Sequence, residues 1–157
     1  MIDRVVRTGI VVTAFTFGVS GAVWAADGPL IGNWKLEPAK STFIGAAPSD
    51  RTMTFAKVKD GIKHTINTTG GGRGGEERYT LSYTFNVDGK DYKPDISMPL
   101  DSVSFHRIDT NTVERDGKDR GQVIDKEVFK VSPDGKTLTV TETRQNTTGV
   151  EVYEREP

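Results

Sequence analysis

The chain contains no cysteine. Disulfides, thiolate nucleophiles and cysteine-held zinc or iron–sulfur centres are therefore excluded, and the fold must rest on packing and hydrogen bonds. Histidine is nearly absent as well. His64 and His106 form neither an H-x-H nor an H-E-x-x-H pattern, so a metal site has no ligand spacing to stand on. There is no G-x-S-x-G nucleophile elbow, and nothing in the sequence calls for a cofactor. Long basic tracts are missing and the formal net charge is −1, which leaves a nucleic-acid partner without its electrostatic footprint. Beyond the first residues, apolar side chains almost never recur at helical spacing, so neither a helix bundle nor a parallel α/β fold is expected.

What is present begins with a leader. Arg4 and Arg7 precede the apolar run GIVVTAFTFGVSGAV, and Val23 and Ala25 are small residues at the −3 and −1 positions of a cleavage site. This is the pattern of a secretory signal peptide, too short and wrongly flanked for a permanent membrane span. Residues 1–25 are read as the signal and residues 26–157 as a single domain without a membrane anchor. With few arginines in the leader, the expected destination is the bacterial periplasm or the exterior.

The body reads as a succession of short alternating segments separated by turn dipeptides. Asp-Gly occurs in KDGIK (59–63), VDGKD (87–91), RDGKD (115–119) and PDGKT (133–137), and each is read as a hairpin turn, since both residues tolerate positive φ. IDTNT (108–112) and QNTTG (145–149) are read as two further turns. In residues 79–87, Tyr79, Leu81, Tyr83, Phe85 and Val87 share one face, while Thr80, Ser82, Thr84 and Asn86 share the other. Such a sheet is apolar on one side only. The expectation is all-β: an antiparallel up-and-down barrel of about 8–10 strands, closed to remove its edges.

The glycine-rich stretch TTGGGRGGEER (68–78) invites a phosphate-cradle reading. That role needs a helix N-terminus behind the glycines, whereas EERYTLSYTF has the period of a strand. The segment is read as a flexible rim connection, with Arg73 near the entrance.

Two ends of the chain resemble a family. IGNWKLEPAKSTF is similar to the G-x-W start of the calycins (lipocalins and fatty-acid-binding proteins). GVEVYERE resembles the closing strand of the fatty-acid-binding branch, which typically reads Arg-x-Tyr-Glu-Lys. The body also resembles a group of small secreted bacterial proteins of unassigned function, and KLEPAKST resembles the opening of periplasmic polyisoprenoid-binding proteins. The resemblance implies a lipocalin-like barrel carrying a small hydrophobic or amphiphilic molecule. It also implies that Trp34 closes one end of the barrel and that Tyr153 takes the ligand-gripping tyrosine position. The pattern departs at Glu151, which stands where that branch has an arginine, and at residues 38–50, which are too few and too broken for its helical lid.

Several polar residues ride on the apolar rows. His64 lies between Ile62 and Ile66, Arg107 follows Val103 and Phe105, and Glu142 and Arg144 follow Leu138 and Val140. A pocket that is mostly apolar with a few placed polar groups suits this inventory. His64, Tyr79, Tyr83, Phe85, Phe105, Arg107, Arg144 and Tyr153 are the candidate ligand contacts, with Arg107 or Arg144 receiving a ligand anion. The plainer reading puts the two arginines at water-exposed strand ends and His64 and the tyrosines in a filled core. Two other roles stay open: a solid barrel whose loops bind an envelope protein, and an enzyme using Tyr153, His64 and Glu142.

Overall fold

The computed structural model describes residues 28–71, 77–94 and 100–157. The leader, and residues 72–76 of the glycine-rich stretch with Arg73 among them, lie outside the described residues. Ten strands follow in chain order: β1 (Gly32–Leu36), β2 (Pro48–Val58), β3 (Gly61–Gly70), β4 (Arg78–Phe85), β5 (Asp91–Tyr92), β6 (Ser102–Arg107), β7 (Thr112–Asp119), β8 (Gln122–Val131), β9 (Thr137–Arg144) and β10 (Thr147–Arg155). They form one antiparallel sheet in the order β4-β3-β2-β1-β10-β9-β8-β7-β6-β5. Every strand pairs with its neighbour in sequence except at one seam, and β1 joins β10 to curl the sheet round. The result is a nearly closed barrel, interrupted where β4 and β5 face each other without a ladder.

The alternation expected of the strands is observed. Leu81, Tyr83 and Phe85 of β4 are buried, as are Met53 and Phe55, Val103 and Phe105, and Leu138 and Val140. Phe85 and Phe105 stack with ring centroids 3.6 Å apart. Because they belong to β4 and β6, this contact bridges the seam that lacks hydrogen bonds. Aromatic packing worth about 1 kcal/mol beyond area burial does there what a ladder does elsewhere.

The turns depart from expectation in two places. Asp60-Gly61 and Asp134-Gly135 do border hairpin turns, and Gln145 and Asn146, both at positive φ, make the β9–β10 turn. Asp88-Gly89, however, lies in a bend between β4 and β5, which are not paired. Asp116-Gly117 lies inside β7, and the β7–β8 turn is made by Arg120 (φ 48°) and Gly121 (φ 76°) instead. Two consecutive residues at positive φ give the twist that a two-residue hairpin requires. The side chain of Asp125 explains why a glycine stands within β7. A Cβ at position 117 would meet its Oδ1 at 2.0 Å.

In place of a helical lid, residues 37–47 make a single 3-10 turn (Pro38–Lys40) and a bridge between Thr42 and Val150. Gly149 permits this crossing, since a Cβ there would lie 3.0 Å from the Thr42 carbonyl. Phe43 packs against the core from this segment.

Candidate ligand site

The barrel interior divides into an aromatic half and a charged half. Phe55, His64, Tyr83, Phe85, Phe105 and Phe129 form a continuous cluster of ring contacts. His64 is completely buried. Its ring lies parallel to Phe55 at 4.1 Å, and its Nδ1 is 2.9 Å from the Tyr83 hydroxyl. Burial first, and the nearby Arg115 charge second, lower its pKa to about 3. The imidazole is therefore neutral, and its Nε2 has no partner among the described residues. Burial likewise raises the Tyr83 hydroxyl above its ordinary value, so the pair is an uncharged hydrogen bond within the core.

Above this floor the inward rows carry charge. Arg51 of β2 donates from Nη1 to Glu151 Oε1 of β10 at 2.5 Å and from Nε to Thr68 Oγ1 at 3.1 Å. Tyr153 donates its hydroxyl to the other oxygen of Glu151. An arginine of β2 thus meets the terminal strand inside the barrel, and it is already engaged by Glu151. A second group spans β7, β8 and β9. Arg115, only 3% exposed, donates to Asp125 Oδ1 at 2.9 Å and to Glu127 Oε2 at 3.0 Å. Burial alone would lower the Arg115 pKa, but Glu127, Tyr83 and Asp125 together raise it. Glu127 is shifted upward, chiefly by burial and against the pull of Arg115, with the charges of Asp125 and Glu142 adding to the rise. Arg144 donates to Glu142 at 2.6 Å and lies 3.8 Å from Asp125.

A cavity of about 250 Å³ opens at this charged end, lined by Phe43, Ile44, Arg51, Tyr79, Glu142, Arg144 and Glu151 among others. At the opposite end a wider hollow of about 580 Å³ is bordered by Leu30, Ile31, Val58, Ile62, Val87 and Arg107. Arg107 and Arg144 therefore stand at opposite ends of the barrel, and one small ligand cannot meet both. Of the residues singled out from sequence, His64, Tyr83, Phe85 and Phe105 come together in the aromatic floor. Tyr153 is buried against Glu151, Tyr79 is 50% exposed at the rim of the charged cavity, and Arg144 lines that cavity. Trp34 is fully buried at the far end. It donates from Nε1 to the Leu30 carbonyl at 2.9 Å, and the Arg155 guanidinium lies over its ring at 4.1 Å.

Arg51 is legible by parity, two residues before Met53 and four before Phe55, but is not among the candidate contacts named from sequence. Arg115 was hidden by reading RDGKD as a turn. On the outer wall, His106 Nε2 faces both Ser104 Oγ at 3.4 Å and Asp116 Oδ2 at 3.7 Å. One nitrogen addressing both groups does not make a proton relay, which needs the two ring nitrogens on different partners. Among the described residues no group of three or more histidine or acidic side chains is placed to hold a metal ion.

No protein-family model matches the chain, and no curated protein matches it in sequence. Solved structures do match in fold. A Schistosoma mansoni fatty-acid-binding protein in complex with arachidonic acid superposes with a TM-score of 0.52 at 16% identity, covering 83% of this chain and 98% of its own. Fatty-acid-binding protein 1 of Echinococcus granulosus gives 0.53 at 12% identity, with 82% and 98% covered. A variant of the fluorescent protein UnaG gives 0.54 at 18% identity, with 82% and 97% covered. At these identities the likeness is one of fold: the chain is a ten-stranded antiparallel barrel of the kind that fatty-acid-binding proteins adopt.

Proposed function

We propose that this protein is an exported binding protein, periplasmic or secreted, that holds a small amphiphilic molecule at the charged end of its barrel. The observation that carries the reading is the cavity of about 250 Å³ in which Arg51, Arg144, Glu142 and Glu151 stand beside Phe43, Ile44 and Tyr79. The exposed lining is almost wholly polar, with Phe43, Ile44 and Tyr79 beside the charged groups, so the part of a ligand that this cavity would orient is its polar end. The volume lies just below the range of about 300–1,000 Å³ usual for such pockets, and aromatic rings fill the half beneath. The ligand is accordingly short, or leaves part of itself outside. The leader pattern of residues 1–25 supports export, and the fold shared with fatty-acid-binding proteins supports a carrier.

Native mass spectrometry of the protein recovered from the periplasm, before and after solvent extraction, tests this. The expected result is a discrete added mass that extraction removes. A bare protein that takes up no offered amphiphile would overturn the reading. It would favour a second one, for which the packed aromatic floor speaks: a solid barrel that acts through its loops on another envelope protein.

A further inference from the structure

The charged end of the barrel holds three arginines, Arg51, Arg115 and Arg144, and four carboxylates, Asp125, Glu127, Glu142 and Glu151. Each arginine is already bonded to at least one of those carboxylates. Arg51 is held by Glu151, Arg115 by Asp125 and Glu127, and Arg144 by Glu142. Glu127 and Glu142 are direct cross-strand partners on β8 and β9, where like charges repel. An incoming carboxylate would have to share Arg51 or Arg144 with the glutamate that already holds it, and would lie beside that glutamate's like charge. The cavity's own two arginines, Arg51 and Arg144, are matched by its two glutamates, Glu142 and Glu151, so it holds no surplus positive charge for an anion. An alcohol or amide can donate to Glu142 and accept from Arg144 without adding a negative charge beside the glutamates, and an ammonium can donate to Glu142 alone.

We infer that the open-end cavity discriminates against carboxylates and takes an amphiphile whose polar end is uncharged or cationic. This rests on the proposed binding role and deepens it. The fold neighbours that bind fatty acids are thus a guide to the architecture and a poor guide to the ligand.

The test is competition at neutral pH between n-octanol, n-octylamine and octanoate for the uncharged fluorescent probe N-phenyl-naphthylamine, using the full mature protein. Octanol and octylamine should displace the probe at concentrations at least about tenfold below octanoate, a margin of one decade in affinity. Glu142→Gln, which releases Arg144 from its carboxylate, should bring octanoate several-fold closer to octanol. Octanoate competing as well as octanol, or an octanol-to-octanoate ratio that Glu142→Gln leaves unchanged, would overturn the inference while the binding role stands. Failure of the probe and all three compounds to bind would instead remove the binding role, and the inference with it.

Discussion

The carboxylate of Asp125 occupies the space in which any residue other than glycine at position 117 would place its Cβ, with Oδ1 at 2.0 Å and Cγ at 2.8 Å from that point. Leu100 closes the same space from another side at 3.1 Å. The two positions are paired across β7 and β8, so the missing side chain on one strand makes room for the charged one on the other. That charge is the partner of Arg115. Gly117→Ala should therefore push Asp125 off Arg115 and lower stability by about 1–3 kcal/mol, the usual cost of overpacking. Urea unfolding followed by far-ultraviolet circular dichroism measures it, and an unchanged midpoint would refute the steric relation.

Removing Arg115 should be more damaging than removing its partners. Arg115→Leu leaves Asp125 and Glu127 buried without their cation, at a cost of about 3–5 kcal/mol. Adding Asp125→Asn and Glu127→Gln to that variant removes the stranded charges and should recover part of the loss. The comparison is made by denaturant unfolding of the single and triple variants at neutral pH. If the triple variant is no more stable than Arg115→Leu, the pairing is not what holds that end of the barrel.

His64 makes an acid-side signature. Its folded pKa is lowered from 6.5 to about 3, so between those values the unfolded chain binds a proton that the native chain refuses. Its contribution is complete above about pH 6.5 and is lost as pH falls toward about 3, with a limiting slope of about 1.4 kcal/mol per pH unit. Glu127 has the opposite sign. Its folded pKa is raised, so its contribution is complete below the ordinary value of 4.5 and declines as pH rises through the folded pKa. Urea midpoints from pH 4 to pH 7 should show wild type losing about 2–3 kcal/mol more than His64→Leu between pH 6 and pH 4. Parallel curves would mean that His64 is protonated within the fold.

At the far end, Arg155 ties three carbonyls, those of Gly135 at 2.6 Å, Ile31 at 2.7 Å and Pro29 at 2.8 Å, while covering Trp34. Lysine has no planar fork and cannot reproduce that geometry. Arg155→Lys should cost about 1.5–3 kcal/mol, the range for hydrogen bonds to a charged group. In a chain starting at Ala26, Trp34 is the only tryptophan, so its fluorescence should shift to the red as the cover loosens. Unchanged emission and melting temperature would show that the fork is dispensable.

The strands, their number and their faces were legible in the sequence because strand periodicity is local. Leu81, Tyr83 and Phe85 declare an inward row by spacing alone, and β2, β6 and β9 repeat the rule, whereas β7 does not, since its buried row runs Val113, Arg115 and Gly117. Closure into a barrel followed from the same evidence, since so many short antiparallel neighbours must dispose of their edges. The candidate site was legible only in part. Arg144 and Tyr153 could be placed on inward rows, but RDGKD carried a turn signal that its tertiary partner overrode. A glycine needed for room looks the same in sequence as one needed for a turn.

What the sequence by itself determined is thus the barrel, its aromatic rows and the polar residues that ride on them. Only the tertiary structure decided which charge meets which. Arg51 and Glu151 lie a hundred residues apart, and their pairing depends on β1 bridging β2 to β10, a relation of register between strands that no local pattern encodes. Whether an arginine in a barrel is open to a ligand or already satisfied is set by that register, because charge–charge contacts act across the space between strands while periodicity acts along each one.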